Sequence, residues 1–427
     1  MSSEMATLRT SWTIPKSALG FHNVMLFLLP ALTAVRVNFV GQLMASDFLV
    51  VVLLVILLMR GIVDFRQPYI RGILIFYSLW VVGMLASDLW NVSPLVNLMK
   101  GWAMVGLFGI YLVVIFTLAD GRRDRLFAAM IGYAIAGILN AFGGSARGSF
   151  FDIQWKFGAG NAMTIFFLLL VILAGFGRRQ TGFSLMLMAP VHLFLDARSL
   201  FLRTFLAGAL CTFSQRVTRA RNRAIAAFLF LALLIGGMTL GETIYDQVIR
   251  TGIFGQEMLE KHLRQTEAGN NILLGGRPES IISLRAIKDS PILGHGSWAE
   301  DRQYRYLYYQ LLEAQGTDVN WKADYLTRID TIPSHSVLLG TWVEHGVFAG
   351  LFWAFILYLA LRALIAGMLS QSPATSIEFL AIVTLLWDIP FSPFGADRRC
   401  TMAILIAIAA AVVAGQSKRY SQNGAST

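Results

Sequence analysis

The chain has 427 residues, of which 56% are hydrophobic and only 14% are charged. Its mean hydropathy of +0.62 excludes an ordinary soluble globular protein, because a soluble core cannot accommodate that much apolar sequence. The formal net charge of +10 is explained by membrane topology and by contact with anionic lipid, and no motif for binding nucleic acid accompanies it.

Apolar stretches that are long enough to cross a bilayer recur along the chain, since each crossing needs about 20 mostly apolar residues. We predict an all-α integral membrane protein with about twelve transmembrane helices, centred near residues 31, 53, 78, 108, 134, 168, 189, 206, 232, 347, 382 and 407. Nine of these centres fall within residues 21–240 and three within residues 335–416. The tails, residues 1–20 and 417–427, are predicted to be cytoplasmic.

The distribution of basic residues predicts the topology, because cytoplasmic loops carry an excess of Lys and Arg. With the amino terminus inside, the basic clusters at residues 60–71, 122–125, 178–179, 216–223 and 418–419 all fall on the inner face. Arg398 and Arg399 are the main exception. The polar segment Gly241–Ser334 is then external.

This external segment, Gly241–Ser334, is predicted to be partly helical and to cover an outer cavity. One helix begins at Pro278 and ends before Pro291, with apolar residues along one side. A second helix, Trp298–Gln315, carries tyrosines and leucines at helical spacing. Two interpretations of this second helix are open: it lies in the membrane interface, or it packs on the ends of the spanning helices.

Several kinds of site are not expected from the sequence. Cys211 and Cys400 lie in or beside apolar spans, so neither a disulfide framework nor a cysteine-ligated metal is predicted. There is no Walker loop, dinucleotide fingerprint or His-Glu-x-x-His, and the external segment has no Asp-x-Asp cluster. We therefore expect no cofactor, and an external enzyme without a nucleotide would need a substrate that is already activated.

Two ionisable residues of the tenth predicted span are candidates for function, His335 at its start and Glu344 inside it. Ser334 is predicted as the N-cap, which places His335 in the first helical turn, where the helix dipole keeps imidazole neutral as a general base requires. An ordinary interfacial histidine is the alternative. Glu344 lies nine residues later, on the opposite face and roughly 13 Å along the axis, so we expect it to orient a neighbouring helix rather than His335.

Arginines near the outer face form a third group of candidates. Arg198 lies in the outer turn Asp196–Ser199, and Arg203 lies a little over one helical turn further into the span that follows. Arg277 and Arg285 belong to the external segment. A guanidinium binds phosphate oxygens bidentately, so these residues would suit a lipid phosphate or pyrophosphate. An ion pair between Asp196 and Arg198 that only stabilises the turn is the alternative.

Four stretches of the sequence resemble motifs of O-antigen ligases and the related bacterial polysaccharide polymerases. The run His335–Gly346 is similar to a signature in which histidine is followed nine residues later by glutamate and eleven later by glycine. Gly276-Arg277-Pro278 and Pro291-Ile292-Leu293-Gly294-His295-Gly296 resemble the arginine and the Pro-x-x-Gly-x-Gly stretch of that family. Residues 196–202 resemble its Ser-Arg-rich turn. The motifs span about residues 160–365.

The resemblance implies a GT-C-like fold and a metal-independent, inverting glycosyl transfer at the periplasmic face of the bacterial inner membrane. The donor would be a glycan on undecaprenyl pyrophosphate, and the acceptor a hydroxyl of a lipid A core sugar. His335 would be the general base, and Arg198 and Arg277 would bind the pyrophosphate, with Arg203 and Arg285 as further candidates. Glu344 and Gly346 would be structural.

Other functions stay open at this point. Many members of the family have Asn where this chain has Ser336, so a polymerase that joins lipid-linked repeats, or a ligase that transfers glycan to protein, remains an alternative. A lipid or sugar transporter would require intramembrane charges along a path and paired broken helices. A membrane O-acyltransferase gives no reason for the arginines. The concentration of polar residues at one face favours an enzyme.

Overall fold

The computed structural model of the chain describes residues 20–38, 41–63, 68–143, 155–156, 158–195, 197–214, 222, 225–226, 228–230, 232, 278–314, 319, 330–370, 372 and 374–424. These residues form thirteen α-helices, one 3-10 turn and one short antiparallel hairpin. The helices are α1 (Phe21–Ala31), α2 (Ala45–Met59), α3 (Pro68–Trp90), α4 (Leu95–Ala119), α5 (Arg123–Gly143), α6 (Gly160–Leu173), α7 (Arg178–Phe194), α8 (Arg198–Phe213), α9 (Pro278–Asp289), α10 (Arg302–Ala314), α11 (Val337–Gly367), α12 (Thr375–Phe391) and α13 (Arg398–Gly424). The hairpin pairs β1 (Arg36–Asn38) with β2 (Gln42–Met44).

The apolar helices make this a membrane-embedded protein. Within the described residues, five helices are long and apolar enough to cross a membrane, namely α3, α4, α5, α11 and the Arg398–Gly415 part of α13. Helices α1, α2 and α6 are also apolar but shorter. Large apolar side chains such as Val82, Leu170 and Leu187 are exposed on the outside of the bundle. Because contiguous apolar exposure is unfavourable in water, these faces are suited to lipid.

Helices α12 and α13 form the centre of the bundle. Nearly every residue of α12 is buried, as expected of a helix that is apolar on all sides. It contacts α8, α11 and α13, and α13 in turn contacts α4 and α5. The predicted ninth span, near residue 232, falls in a part of the chain of which the structure describes only a few residues.

Ion pairs at both ends of α12 define the relative directions of the helices. At the start of α12, Glu378 pairs with Arg123 at the start of α5 (3.2 Å). At its end, Asp388 pairs with Arg398 at the start of α13 and with Arg203 near the start of α8. Helices α5 and α12 are therefore parallel, and α8 and α13 run the other way. This alternation agrees with the predicted order of spans, and the assignment of the Asp388 end to the outer face stays a prediction.

The polar segment contributes α9 and α10, which pack together on α11. Helix α9 begins at Pro278, as predicted, and ends before Pro291. The apolar side of α10, with Tyr304, packs against Ile282 of α9 and Val343 of α11. The apolar face of α10 therefore packs mainly on α9, and both interpretations of its position relative to the membrane stay predictions. The helix begins at Arg302 rather than at Trp298.

Candidate functional site

His335 lies on an extended stretch that precedes α11. The helix begins at Val337, and its N-cap is Ser336, whose Oγ accepts a hydrogen bond from the backbone N–H of Leu339 (3.1 Å). The prediction that Ser334 caps the helix and that His335 lies in its first turn is wrong by two residues. The backbone of Ser336 is extended, as an N-cap requires. The exposed His335 side chain is therefore just outside the positive end of the helix.

Ser336 also brings the start of α11 to the end of α12. Its hydroxyl donates to the backbone carbonyl of Ile389 (3.2 Å), next to Asp388 in the sequence. Since His335 directly precedes Ser336, this hydrogen bond fixes the backbone beside His335 at the end of the bundle where Asp388 lies.

Two arginines converge on the carboxylate of Asp388. Nη1 of Arg398 lies 3.0 Å from Oδ2, and Nη1 of Arg203 lies 3.7 Å from Oδ1, which also accepts from the hydroxyl of Ser392 (2.8 Å). The Arg398 side chain is 30% exposed and that of Arg203 is 11% exposed. We call Arg203, Asp388 and Arg398 the arginine cluster. The exposed carboxylate of Asp397 also lies within electrostatic range of Arg398. The feature that suits an anionic ligand is therefore the partly exposed guanidinium of Arg398, whose planar fork matches phosphate oxygens.

Neutral polar groups border this cluster. Tyr133 of α5 lies within electrostatic range of Arg203, Asp388 and Arg398. Its hydroxyl accepts a hydrogen bond from the amide nitrogen of Asn161 in α6 (3.0 Å). Side chains from α5, α8, α12 and α13 therefore meet at the cluster, and Asn161 of α6 is connected to it through Tyr133.

The predicted arginines have different positions. Arg203 belongs to the arginine cluster, and the half-buried Arg198 begins the same helix, five residues earlier. Arg285 lies on α9, where its exposed guanidinium pairs with Asp289 (3.2 Å). Arg277 and Asp196 lie outside the described residues, and so does the predicted ion pair between Asp196 and Arg198. Arg398 joins Arg203 in the structure, although the sequence analysis treated it only as an exception to the charge rule.

The Asp289 carboxylate has two partners outside the spanning helices. The hydroxyl of Tyr304 donates to Oδ2 (2.8 Å), and the Arg285 guanidinium lies against the same oxygen. The hydrogen bond from Tyr304, with a smaller contribution from the charge of Arg285, holds the pKa of Asp289 below its ordinary value of 3.8. Arg285 therefore pairs within α9, while Tyr304 joins α10 to the same carboxylate, and the role of Arg285 in binding pyrophosphate stays a prediction.

Helix α11 is broken at Gly346, two residues after Glu344. Gly346 has φ 68° and ψ −162°, a conformation that suits glycine alone, and a Cβ there would overlap the carbonyl of Ile292. The backbone groups released by the break bind residues 290–297, which we call the plug. Val343 O accepts from the N–H of His295 (2.8 Å). The stretches 291–296 and 335–346, whose resemblance to the family was noted separately, are therefore in direct contact.

Glu344 is held at this break and not near the start of α11. Its backbone carbonyl accepts from the hydroxyl of Ser87 in α3 (2.8 Å) and from the N–H of Gly296 in the plug (3.0 Å). Its carboxylate lies 3.9 Å from Nε2 of His345. Both hydrogen bonds use the backbone carbonyl, so the expectation that Glu344 orients a neighbouring helix stays a prediction, and the straight helix assumed for it is interrupted at Gly346.

A buried chain of hydrogen bonds next to the break was missed by the sequence analysis. Trp80 Nε1 donates to Nδ1 of His345 (3.0 Å), so the neutral ring carries its proton on Nε2, which faces Oγ of Ser297 (3.1 Å). The Ser297 hydroxyl donates to Oδ2 of Asp88 (2.9 Å). Asp88 also accepts from the backbone N–H of Ser297 and from Trp102. An aspartate inside an apolar span was the available signal, since such residues are usually functional or paired.

Comparisons with protein-family models, with curated proteins and with solved structures gave no match for this chain. Among the described residues, His, Cys, Asp and Glu side chains form no group of three or more that could hold a metal ion. The residues of the candidate site are an exposed histidine, His335, and the partly exposed arginines of the arginine cluster.

Proposed function

We propose that the protein is a membrane glycosyltransferase of the O-antigen ligase type. It would move a glycan from undecaprenyl pyrophosphate to a hydroxyl of a lipid A core sugar, at the periplasmic face of the bacterial inner membrane. The observation that supports this proposal is the position of His335 directly before Ser336, which is hydrogen-bonded beside the arginine cluster. A proton acceptor and an anion-binding group thus share one end of the bundle.

The proposed reaction uses these two groups on opposite sides of the sugar. His335 removes the proton of the acceptor hydroxyl, and the acceptor oxygen forms a bond to the anomeric carbon of the donor. The bond from that carbon to the pyrophosphate oxygen breaks, and its electron pair leaves with undecaprenyl pyrophosphate, so the configuration inverts. Arg203 and Arg398, with the predicted contributions of Arg198 and Arg277, stabilise the charge that grows on the leaving group.

The alternatives differ in how they use the same structure. A polymerase has the same donor chemistry and takes a second lipid-linked glycan as its acceptor. A transporter would use the broken helix α11 and the buried Asp88 as parts of a substrate path. However, the plug fills this break, and Asp88 accepts hydrogen bonds from Ser297 and Trp102. These contacts favour a structural role for the break.

The test is transfer in vitro by the purified protein and by the variant His335→Ala. The donor is a lipid-pyrophosphate glycan, EDTA is present, and lipid A core, a second donor molecule or water is offered separately as acceptor. The matched control is His22→Ala, since His22 lies near Arg122 and Arg125, away from the site. Product on lipid A core that is lost only in His335→Ala supports a ligase.

The other outcomes of this experiment are equally informative. Elongation of the donor without lipid A core would indicate a polymerase. Unchanged transfer by His335→Ala would contradict the role of the base, and the absence of transfer to every acceptor by the unmodified protein would favour the transporter. Each reaction is repeated without EDTA. Product that forms without EDTA and not in its presence would show that the reaction needs a metal ion.

A further inference from the structure

The stretch that carries His335 is held from two directions. On its membrane side, Ser336 donates to Ile389 O of α12. On its other side, the hydroxyl of Ser283, in α9, donates to Pro333 O (3.2 Å). Ser283 is fully buried, and Pro333 is also buried. His335 therefore lies between two serine anchors, one from the spanning helices and one from the polar segment.

Backbone contacts fix the beginning of the same stretch to the polar segment. Thr331 pairs with Glu300 in an isolated bridge, and the N–H of Ile332 donates to Ala299 O (3.0 Å). Among the described residues, the side-chain hydrogen bond from Ser283 to Pro333 O follows next along this stretch and joins it to the polar segment as well.

Helix α9, which supplies Ser283, is itself fixed to the spanning helices. Its end leads into the plug, where Ile292 O accepts from Val347 N (3.2 Å) and His295 N donates to Val343 O. The ring of His295 reaches back to Ala286 O in α9 (2.9 Å). These contacts keep α9 at a constant position relative to α11, so the hydroxyl of Ser283 is presented to Pro333 by a rigid support.

We propose that Ser283 is a positioning residue for His335, acting through its hydrogen bond to the carbonyl of Pro333. The proposal rests on the proposed function, because it concerns the catalytic use of His335. Removing the hydroxyl releases the Pro333 carbonyl and lets the exposed His335 move relative to the arginine cluster. A displacement of about 1 Å at a catalytic group can lower a rate by two orders of magnitude. The binding of the donor pyrophosphate, which depends on the arginines, is not affected.

The first experiment compares kcat and KM for Ser283→Ala with those of the unmodified protein. We expect kcat to fall about tenfold or more, while KM for the lipid-pyrophosphate donor stays unchanged. The matched control is Ser184→Ala, which removes a serine hydroxyl that donates to a backbone carbonyl, that of Gln180 in α7. An unchanged kcat in Ser283→Ala, or an equal fall in Ser184→Ala, would overturn the proposal.

A double-variant cycle separates positioning from general destabilisation. If Ser283 acts through His335, adding Ser283→Ala to His335→Ala should lower transfer no further. An additional fall of the same size as in the single variant would mean that Ser283 acts by another route, and would contradict the proposal.

A measurement that needs no glycan transfer tests the same inference. A spin label attached at position 335 in a His335→Cys variant reports the mobility of this stretch, and both native cysteines are buried. The label should become more mobile when Ser283→Ala is added and not when Ser184→Ala is added. Unchanged mobility would overturn the positioning role. If His335→Ala retains transfer, the proposed function fails, and the label still decides whether Ser283 holds the stretch.

Discussion

Arg398 and Arg399 are neighbours in the sequence, and each forms an ion pair with an aspartate, but the two sites are built differently. Arg399 and Asp47 are almost completely buried and pair at 2.7 Å. The Arg399 guanidinium also donates to backbone carbonyls such as that of Ala396, and Asp47 accepts from the Tyr111 hydroxyl. In contrast, Arg398 is partly exposed, and its partner Asp388 is shared with Arg203.

The difference separates a structural ion pair from a candidate binding site. At Asp47 one cation meets one anion, and further hydrogen bonds complete both groups, as a buried pair requires. At Asp388 two cations share one anion, and Arg398 has donor groups that an external ligand can reach. Neither arginine is therefore an ordinary loop cation: Arg399 is an internal side chain, and Arg398 belongs to the arginine cluster.

The largest effect on stability is expected from Arg399→Ala. Removal of one partner leaves the buried carboxylate of Asp47 uncompensated, which typically costs about 3–5 kcal/mol. Thermal unfolding in detergent should show a large decrease in the midpoint for this variant and a much smaller one for Arg398→Ala. Equal decreases in the two variants would contradict the distinction between the sites.

The arginine cluster should show the reverse pattern, with activity lost and stability retained. Arg398→Lys keeps the charge and loses the planar fork, so transfer should fall about 10- to 100-fold, as for a lost hydrogen bond to a charged group. The control is Arg122→Lys, because Arg122 pairs with Asp124 in an exposed position (2.7 Å). Full transfer by Arg398→Lys would show that bidentate binding to phosphate is not used there.

A third pair, Arg285 and Asp289, extends the comparison to the exposed surface, where the smallest effect is expected. Salt bridges of this kind are screened by solvent, so Arg285→Ala should change transfer by no more than about twofold. A large loss would restore Arg285 as a ligand of the pyrophosphate. The same assay on Arg203→Ala provides the positive reference within the arginine cluster.

The exposed pair also predicts a dependence on pH. Because the pKa of Asp289 is lowered in the folded protein, its contribution to stability is complete above the ordinary value of 3.8 and is lost as the pH falls through the lower folded value. The measurement is the rate of peptic cleavage between α9 and α10 between about pH 4 and 2, divided by the rate for an unfolded substrate at the same pH. This ratio should increase towards the acidic end of the range. Asp289→Asn should remove this dependence, and its persistence there would exclude Asp289 as the cause.

Local signals in the sequence predicted the helices well, because the residues that begin and end a helix lie within it or beside it. Pro278 and Pro291 bound α9 correctly for this reason. The N-cap of α11 was placed at Ser334 instead of Ser336, since both serines are suitable by local rules. The choice follows from the contact of Ser336 with Ile389, a residue far along the chain.

The break in α11 and the arginine cluster depend on contacts that no local pattern contains. Gly346 was singled out only by resemblance, and its conformation follows from the insertion of the plug. Asp88 and Asp388 could have been found, because an ionisable residue within an apolar span indicates a partner or a function. Of the acidic residues near apolar stretches, only Glu344 was predicted to be functional or paired for this reason.

Helix α12 carries one carboxylate near each end, and the two together restrict how this helix can slide or change in length. Glu378 and Asp388 are ten residues apart, about 15 Å along the axis, and each is held by an arginine from another helix. A slide of one helical turn, about 5.4 Å, would break both pairs at once. The spacing of the two carboxylates is therefore fixed by the helix. A single residue inserted between them would rotate one carboxylate away from its arginine by about 100° about the helix axis.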